Sequence, residues 1–130
     1  MSLYLGHPLK GEPAKQHDIE IIPGTSGIVG HELGLVLNYK IPASGKPVDL
    51  SGAELVFIAS AGGSAVLIKA TPDITWASET AQIVVPFSVE NTRALGAHSY
   101  LKYTLERRKG AAQRLILYGQ INVTKVYNDD

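Results

Sequence analysis

The chain has 130 residues and a formal net charge of zero, with 12 basic and 12 acidic side chains. This length fits one domain that can bury its own core. The absence of cysteine excludes disulfides and cysteine zinc sites. A balanced charge gives no overall field that would steer the protein to nucleic acid or anionic lipid.

The first 16 residues mix Gly, Pro and Lys without hydrophobic periodicity. We interpret residues 1–16 as an extended N-terminal arm, residues 17–127 as a single β-sandwich domain, and residues 128–130 as a polar tail. No apolar segment follows a basic start, so no secretory signal is predicted, and no apolar run is long enough to span a bilayer.

Alternation of apolar and polar residues predicts a series of strands. They cover residues 17–23, 32–41, 54–60, 66–68 and 80–86, with a short extended piece at 74–76. The core face of the second strand is predicted to carry Leu33, Leu35, Leu37 and Tyr39. Gly62 and Gly63 supply the backbone freedom for a hairpin turn.

A single helical signal follows these strands. Ser88 can cap a short helical turn that runs to Leu95, Glu90 lies near its positive end, and Gly96 can end it.

The last part of the chain, residues 98–125, predicts one long β-hairpin, whose reversal contains Gly110. Its expected core face carries Leu101, Tyr103, Leu105, Leu115, Leu117, Ile121 and Val123. About seven strands with regular turn signals favour an immunoglobulin-like, antiparallel, all-β sandwich. Tyr100 then lies either at a tyrosine corner or on the rim of the sandwich.

No residue set indicates catalysis, a cofactor or a metal. The four histidines are scattered along the chain, and a metal site needs ligands that converge. The segment around Ser26 lacks the pattern of a nucleophile elbow. We therefore expect no enzymatic activity and no small-molecule substrate.

Apolar residues also occupy outer-face positions of the predicted strands. These candidate interface residues are Val56, Ile58, Ile116 and Tyr118, and they imply that the outer face is covered by the N-terminal arm or by another subunit. Trp76 is a further candidate, because tryptophan is enriched at interfaces.

Arg107 and Arg108 lie near a basic hairpin tip, which has two interpretations. The tip either contacts an acidic protein neighbour or forms a solvated strand face that protects an edge. Nucleic-acid binding is disfavoured, since few aromatic residues are interleaved with the basic ones.

Several motifs together resemble the immunoglobulin-like N-terminal domain of phage baseplate upper proteins and related prophage tail proteins. The segments that carry the resemblance are Pro47–Ala53 (PVDLSGA), Phe87–Leu95, Ser99–Tyr100 and Leu117–Val123 (LYGQINV). The resemblance implies a non-enzymatic structural protein of a virion, made in the bacterial cytoplasm, that acts as an oligomer with other tail proteins.

Four residues of these motifs are expected to shape turns and packing in the fold. Asp49 can fix an Asx turn and Leu50 can plug the end of the sandwich. Gly52 is expected to permit a close backbone approach, and Gly119 is expected to mark a bulge or twist where a side chain would collide.

One alternative function stays open, a β-sandwich module that binds carbohydrate or a cell surface. It predicts that Trp76 and exposed tyrosines share one shallow groove. The fold alone does not separate this alternative from virion assembly.

Overall fold

The computed structural model describes residues 3–6, 15–40, 52–77 and 82–125. Within these ranges the chain forms ten strands and one short helix. In chain order the elements are β1 Leu3–Gly6, β2 Lys15–Gln16, β3 Ile19–Ile21, β4 Leu35–Lys40, β5 Glu54–Ala61, β6 Ser64–Ala70, β7 Thr75–Ala77, β8 Gln82–Val85, α1 Val89–Gly96, β9 Leu101–Lys109 and β10 Ala112–Val123.

The strands form two sheets. The four-stranded sheet has the order β1-β4-β8-β7, and the six-stranded sheet has the order β2-β10-β9-β5-β6, with β3 also paired to β10. Pairing is antiparallel except where β1 joins β4 and where β2 and β3 join β10. The prediction of an all-β sandwich with one short helical segment is therefore confirmed.

One continuous core lies between the sheets. The ring of Phe57 stacks on Tyr103 at a centroid distance of 5.3 Å and meets Phe87 edge to face at 5.4 Å. The predicted alternation in β5 and β9 is confirmed, since all six apolar residues that were predicted to face inward on these strands are buried. They are Leu55, Phe57, Ala59, Leu101, Tyr103 and Leu105.

Two described strands, β1 and β2, fall inside the segment that we interpreted as an arm. Strand β1 extends the four-stranded sheet beside β4, and β2 extends the six-stranded sheet beside β10. Both are short and lie in a segment that mixes Gly, Pro and Lys without hydrophobic periodicity, so the sequence gives no sign of them.

Strand β4 begins later than predicted because of Gly34. Its φ of +126° does not continue a strand, and a Cβ there would lie 2.1 Å from the carbonyl oxygen of Val85. Leu33 therefore lies in the preceding turn and is 60% exposed, so its assignment to the core was wrong. The turn predicted at residues 42–47 lies outside the described residues.

The helix α1 begins and ends where the sequence indicates. The Ser88 hydroxyl accepts from the Asn91 backbone N–H at 3.1 Å, and the Asn91 side chain accepts from the Ser88 N–H at 2.9 Å. Gly96 is its last residue, and a Cβ there would lie 2.4 Å from the Pro23 ring. Within the described ranges, no helix is long and apolar enough to cross a bilayer.

The long hairpin is formed by β9 and β10, with Gly110 at φ +58° in its turn. A β-bulge between Leu115 and Leu117 inserts one extra residue into β10. The alternation consequently shifts by one position, so that Ile116 is fully buried and Leu115 is 40% exposed. The predictions that Leu115 faces the core and that Ile116 faces outward were both wrong.

Candidate interaction surface

The strongest candidate site is a row of side chains on the outer face of the six-stranded sheet. Ile68 on β6 lies opposite Ile58 on β5, Ile58 lies opposite Thr104 on β9, and Thr104 lies opposite Tyr118 on β10. Directly opposed side chains on one sheet face are in contact range. We call Ile68, Ile58, Thr104 and Tyr118 the outer row.

The outer row is open to solvent at both ends. Ile68 is 61% exposed and Tyr118 is 37% exposed, while Ile58 and Thr104 are half-buried between them. Leu115 adds a further exposed apolar side chain in the neighbouring row, opposite Glu106. The result is an apolar surface that crosses four adjacent strands.

Local sequence sets the register that assembles this row. Gly62 and Gly63 take φ values of +60° and +85° in the turn between β5 and β6, which glycine adopts without steric penalty. The turn pairs Ala61 with Ser64, and a register shift between Ala59 and Ser60 then brings Ile58 opposite Ile68. On the other side, the bulge in β10 returns Tyr118 to the outer face.

Two of the predicted interface residues contribute no surface. Ile116 is in the core because of the bulge. Val56 keeps its outer-face position, opposite Ala70 and Glu106, but only 4% of it is exposed. The part of the predicted surface that is accessible in the structure is therefore Ile58 and Tyr118, to which Ile68 and Leu115 are added.

The two predicted arginines lie on opposite faces. Arg108 is on the outer face, where its guanidinium donates to Glu106 at 3.1 Å, and Glu106 also accepts from Gln113 at 2.7 Å. Arg107 lies opposite Leu55 and Arg114, on the inward side. The pair therefore does not form one basic surface at the hairpin tip.

Arg107 and Arg114 lie close enough to Tyr39 to affect its ionisation. Burial raises the pKa of Tyr39 to about 12, and the positive charges of the two arginines act in the opposite direction. Burial removes the phenol from water and so destabilises its charged phenolate form. This effect on the pKa is larger than the opposite effect of the two arginines. This end of the core holds a neutral tyrosine at physiological pH.

Trp76 is in the other sheet, away from the outer row. It lies on β7 opposite Ile83 and is half-buried. Its ring lines a shallow cavity of about 310 Å³ with Leu55, Pro72 and Ile74. The indole Nε1 is buried with no hydrogen-bond partner among the described residues.

Of the four turn-motif residues, the structure describes Gly52 and Gly119. Asp49 and Leu50 lie outside the described residues. Gly52 has a φ of +71°, and the nearest atom to a Cβ there would be 3.9 Å away. Glycine therefore suits this position because of the positive φ, and not because of the close backbone approach that was predicted. At Gly119 a Cβ would lie 2.1 Å from the His17 carbonyl oxygen, so the predicted collision is present, although the bulge lies earlier in β10, between Leu115 and Leu117.

The described histidines do not converge. His31 Nδ1 accepts from the Leu33 N–H at 3.2 Å, and the carbonyl of His17 accepts a hydrogen bond from the Tyr103 hydroxyl. In the part of the chain that the structure describes, no three His, Asp or Glu side chains are placed to hold a metal ion. His7 is outside that part.

A second surface feature was missed by the sequence reasoning. Where β9 begins and β10 ends, an open groove of about 660 Å³ runs beside Tyr100. Tyr100 is 93% exposed and has a φ of +58°, so it lies on the rim and forms no tyrosine corner. The sequence contains one sign that Tyr100 lies on the rim: it is two residues from Lys102, and it therefore shares the polar side of the predicted strand.

Comparison with other proteins adds no assignment. No protein-family model matches the sequence, and no curated protein matches it either. The resemblance to the baseplate domain remains a prediction drawn from the motif series.

Proposed function

We propose that this chain is a non-enzymatic structural component of a phage or prophage tail or baseplate, and that it acts by protein–protein assembly. The observation that carries the assembly part is the outer row, together with the exposed Leu115 beside it. The motif series carries the assignment to a tail particle. The partners are further copies of this chain and other tail proteins.

The chemistry of the outer row suits a protein partner. Soluble monomers expose contiguous apolar patches of limited size, and larger ones mark interaction sites. The row combines branched aliphatic side chains with a tyrosine, which has a large apolar ring and a polar end. Burial of such a surface against a partner gives a favourable free energy in proportion to its apolar area.

Features of the β6 edge favour association through the face of the sheet. The strand carries a bulge, since its register with β5 shifts between Ala59 and Ser60. It also carries Lys69, which lies opposite the buried Phe57 on the inward side and is partly desolvated, so that its pKa is lowered. Bulges and inward-pointing charges discourage the addition of another strand.

A charge placed in the outer row tests the assembly surface. Ile68→Asp is expected to convert the associated protein to monomer in size-exclusion chromatography with light scattering. Leu33→Asp is the matched control, because Leu33 is 60% exposed but lies in the turn before β4. A wild-type protein that is strictly monomeric and retains no tail protein, or equal effects of the two variants, would overturn the proposal.

The particle assignment needs a separate experiment. Antibodies against the chain should label the tail end of phage particles induced from the encoding strain, as seen by immunogold electron microscopy. Particles that lack the protein, with purified tails free of it by mass spectrometry, would contradict the tail assignment. That outcome would not bear on the assembly surface, which the light-scattering experiment tests separately.

A further inference from the structure

The groove beside Tyr100 has the size and form of a ligand site. Its volume of about 660 Å³ falls within the range of roughly 300–1,000 Å³ that is usual for small-molecule sites. Buried Leu101 and Ile121 lie under it, while its rim is polar and exposed. The exposed side chains that line it are His98, Ser99, Tyr100, Lys102, Gln120, Asn122 and Lys125.

The ring of Tyr100 stands in solvent on an unfavourable backbone. A φ of +58° is rare for a residue with a side chain, and such conformations cluster at ligand sites. The fold gains little from the ring itself, since 93% of the residue is exposed. Glycine would adopt this backbone more easily, so the presence of an aromatic residue here calls for a role outside the core.

The polar groups of the groove complement a ligand rich in hydroxyl and acidic groups. Lys102 and Gln120 lie directly opposite each other on β9 and β10, and Asn122 and Lys125 follow along the groove. An amide offers two donors and an acceptor to neighbouring hydroxyl groups. A lysine ammonium offers three donors and strengthens hydrogen bonds to an anion.

The positive charges of the groove are not cancelled from within it. No carboxylate is among the described residues that line it. Two acidic residues lie beside it: Asp18, between β2 and β3, accepts from the Gln120 N–H at 2.9 Å, and Glu20, on β3 opposite Asn122, accepts from the Thr124 hydroxyl. These neutral donors hold the two carboxylates beside the groove without removing their charge, so Lys102 and Lys125 supply the formal charges among the described residues that line the groove itself.

We propose that this groove binds a saccharide that carries an acidic group, with Tyr100 stacked on the apolar face of one sugar ring. Gln120 and Asn122 bind sugar hydroxyls, and Lys102 and Lys125 bind the carboxylate or phosphate. The alternative of single-stranded nucleic acid fits less well. Such sites stack successive bases on several aromatic residues, whereas Tyr100 is the one Phe, Tyr or Trp side chain among the described residues that line the groove.

Binding to an array of oligosaccharides tests the proposal on the full chain. The array contains oligosaccharides with uronic acid or phosphate groups, neutral oligosaccharides of equal length, and single-stranded oligonucleotides. We expect binding to acidic saccharides, confirmed by calorimetric titration with the best of them. Absence of binding to any acidic saccharide, or preference for neutral saccharides or for oligonucleotides, would overturn the proposal.

Substitution of Tyr100 separates binding from folding. Tyr100→Gly removes the ring and suits the positive φ, so we expect an unchanged or higher melting temperature with affinity at least tenfold weaker. Tyr100→Phe keeps the ring and should retain most of the affinity. If Tyr100→Gly binds the saccharide as well as the wild type does, the site is not this groove.

Two further variants test the charge and separate this site from the assembly surface. Lys102→Gln should weaken binding severalfold, whereas Lys109→Gln, an exposed lysine at the opposite end of β9, should not. Ile68→Asp should leave saccharide affinity unchanged. An equal loss in Lys102→Gln and Lys109→Gln would contradict binding in the groove. A loss in Ile68→Asp would place the saccharide on the outer row instead.

Discussion

The two faces of the six-stranded sheet are built from the same strands but differ in what covers them. On the inner face Phe57, Tyr103, Leu105 and Leu117 are essentially inaccessible to solvent. On the outer face Ile68, Leu115 and Tyr118 remain exposed. The inner face is closed by the second sheet of the same chain, while the outer face keeps an exposed, largely apolar row, which is the surface that we propose for assembly.

The residues on the two faces are determined in different ways. Burial on the inner face follows from alternation within each strand, because one side of a pleated sheet must face the core. The outer row follows from the register between strands, since its members come from four separate strands. Disruption of one face should therefore affect folding, and disruption of the other should affect association.

The largest expected effect is that of a charge on the inner face. Leu117→Asp buries an unpaired carboxylate and should lower the free energy of unfolding by about 3–5 kcal/mol, enough to unfold a marginally stable domain. Leu115→Asp, two residues earlier, 40% exposed and opposite Glu106, should cost about 1 kcal/mol, because two carboxylates then face each other across the strands. Urea denaturation followed by circular dichroism measures both, and equal losses would contradict the bulge that separates them.

The next effect concerns the edge of the sheet. Gly119→Ala places a methyl group where the His17 carbonyl oxygen is 2.1 Å away, so the edge strand must move. We expect a loss of about 2–3 kcal/mol, typical of overpacking. Gly62→Ala is the control, because its Cβ would meet no atom within 4 Å and only its positive φ is unfavourable. A smaller loss for Gly119→Ala than for Gly62→Ala would show that the edge strand does not approach this closely.

Alkaline pH should destabilise the core through two buried tyrosines, one from each sheet. Burial, together with the negative charge of Asp18, raises the pKa of Tyr103, and burial raises the pKa of Tyr39 to about 12. A folded pKa above the unfolded value of about 10 gives stability that is present below pH 10 and is lost as the pH rises through the folded value.

Tyr103→Phe tests this pH dependence. The variant loses the hydrogen bond from the hydroxyl to the His17 carbonyl, so we expect a loss of about 1 kcal/mol at pH 7. Its free energy of unfolding should then fall less steeply than that of the wild type between pH 10 and pH 11.5. Parallel curves from urea titrations across that range would contradict the assignment.

The smallest expected effect is that of Arg108→Ala on the outer face. The Arg108 side chain is 39% exposed and pairs at 3.1 Å with the Glu106 side chain, which is 16% exposed, and ion pairs at the surface contribute about 0–1 kcal/mol. Glu106 keeps its hydrogen bond from Gln113, so we expect a change within about 0.5 kcal/mol. Thermal melts at low and high salt measure it, and a loss above that value would mean that Arg108 has a structural role.

Much of the sandwich could be predicted from the sequence because its inner residues alternate within long strands. The pattern in β5 and β9 and the cap of α1 at Ser88 are local signals, and the structure confirms them. The position of the bulge could not be predicted, since Leu115, Ile116 and Leu117 are all apolar. Three consecutive apolar residues do not indicate which one is inserted.

The candidate sites were less accessible to sequence reasoning than the fold. Ile58 and Tyr118 were identified as outer-face residues, but Ile68 was assigned only to a return strand because its face depends on the register with β5. The groove beside Tyr100 forms where the two ends of one hairpin meet. Residues about 20 positions apart therefore share it, and their spacing in the sequence gives no sign of the convergence.

Hydroxyl-radical footprinting at low and high protein concentration tests most directly whether the outer face is an association surface. We expect Ile68 and Tyr118 to be labelled in dilute protein and protected in concentrated protein, while Leu33 is labelled equally in both. Equal labelling of all three residues at every concentration, in a sample that light scattering shows to be associated, would contradict the account, because association would then use another surface.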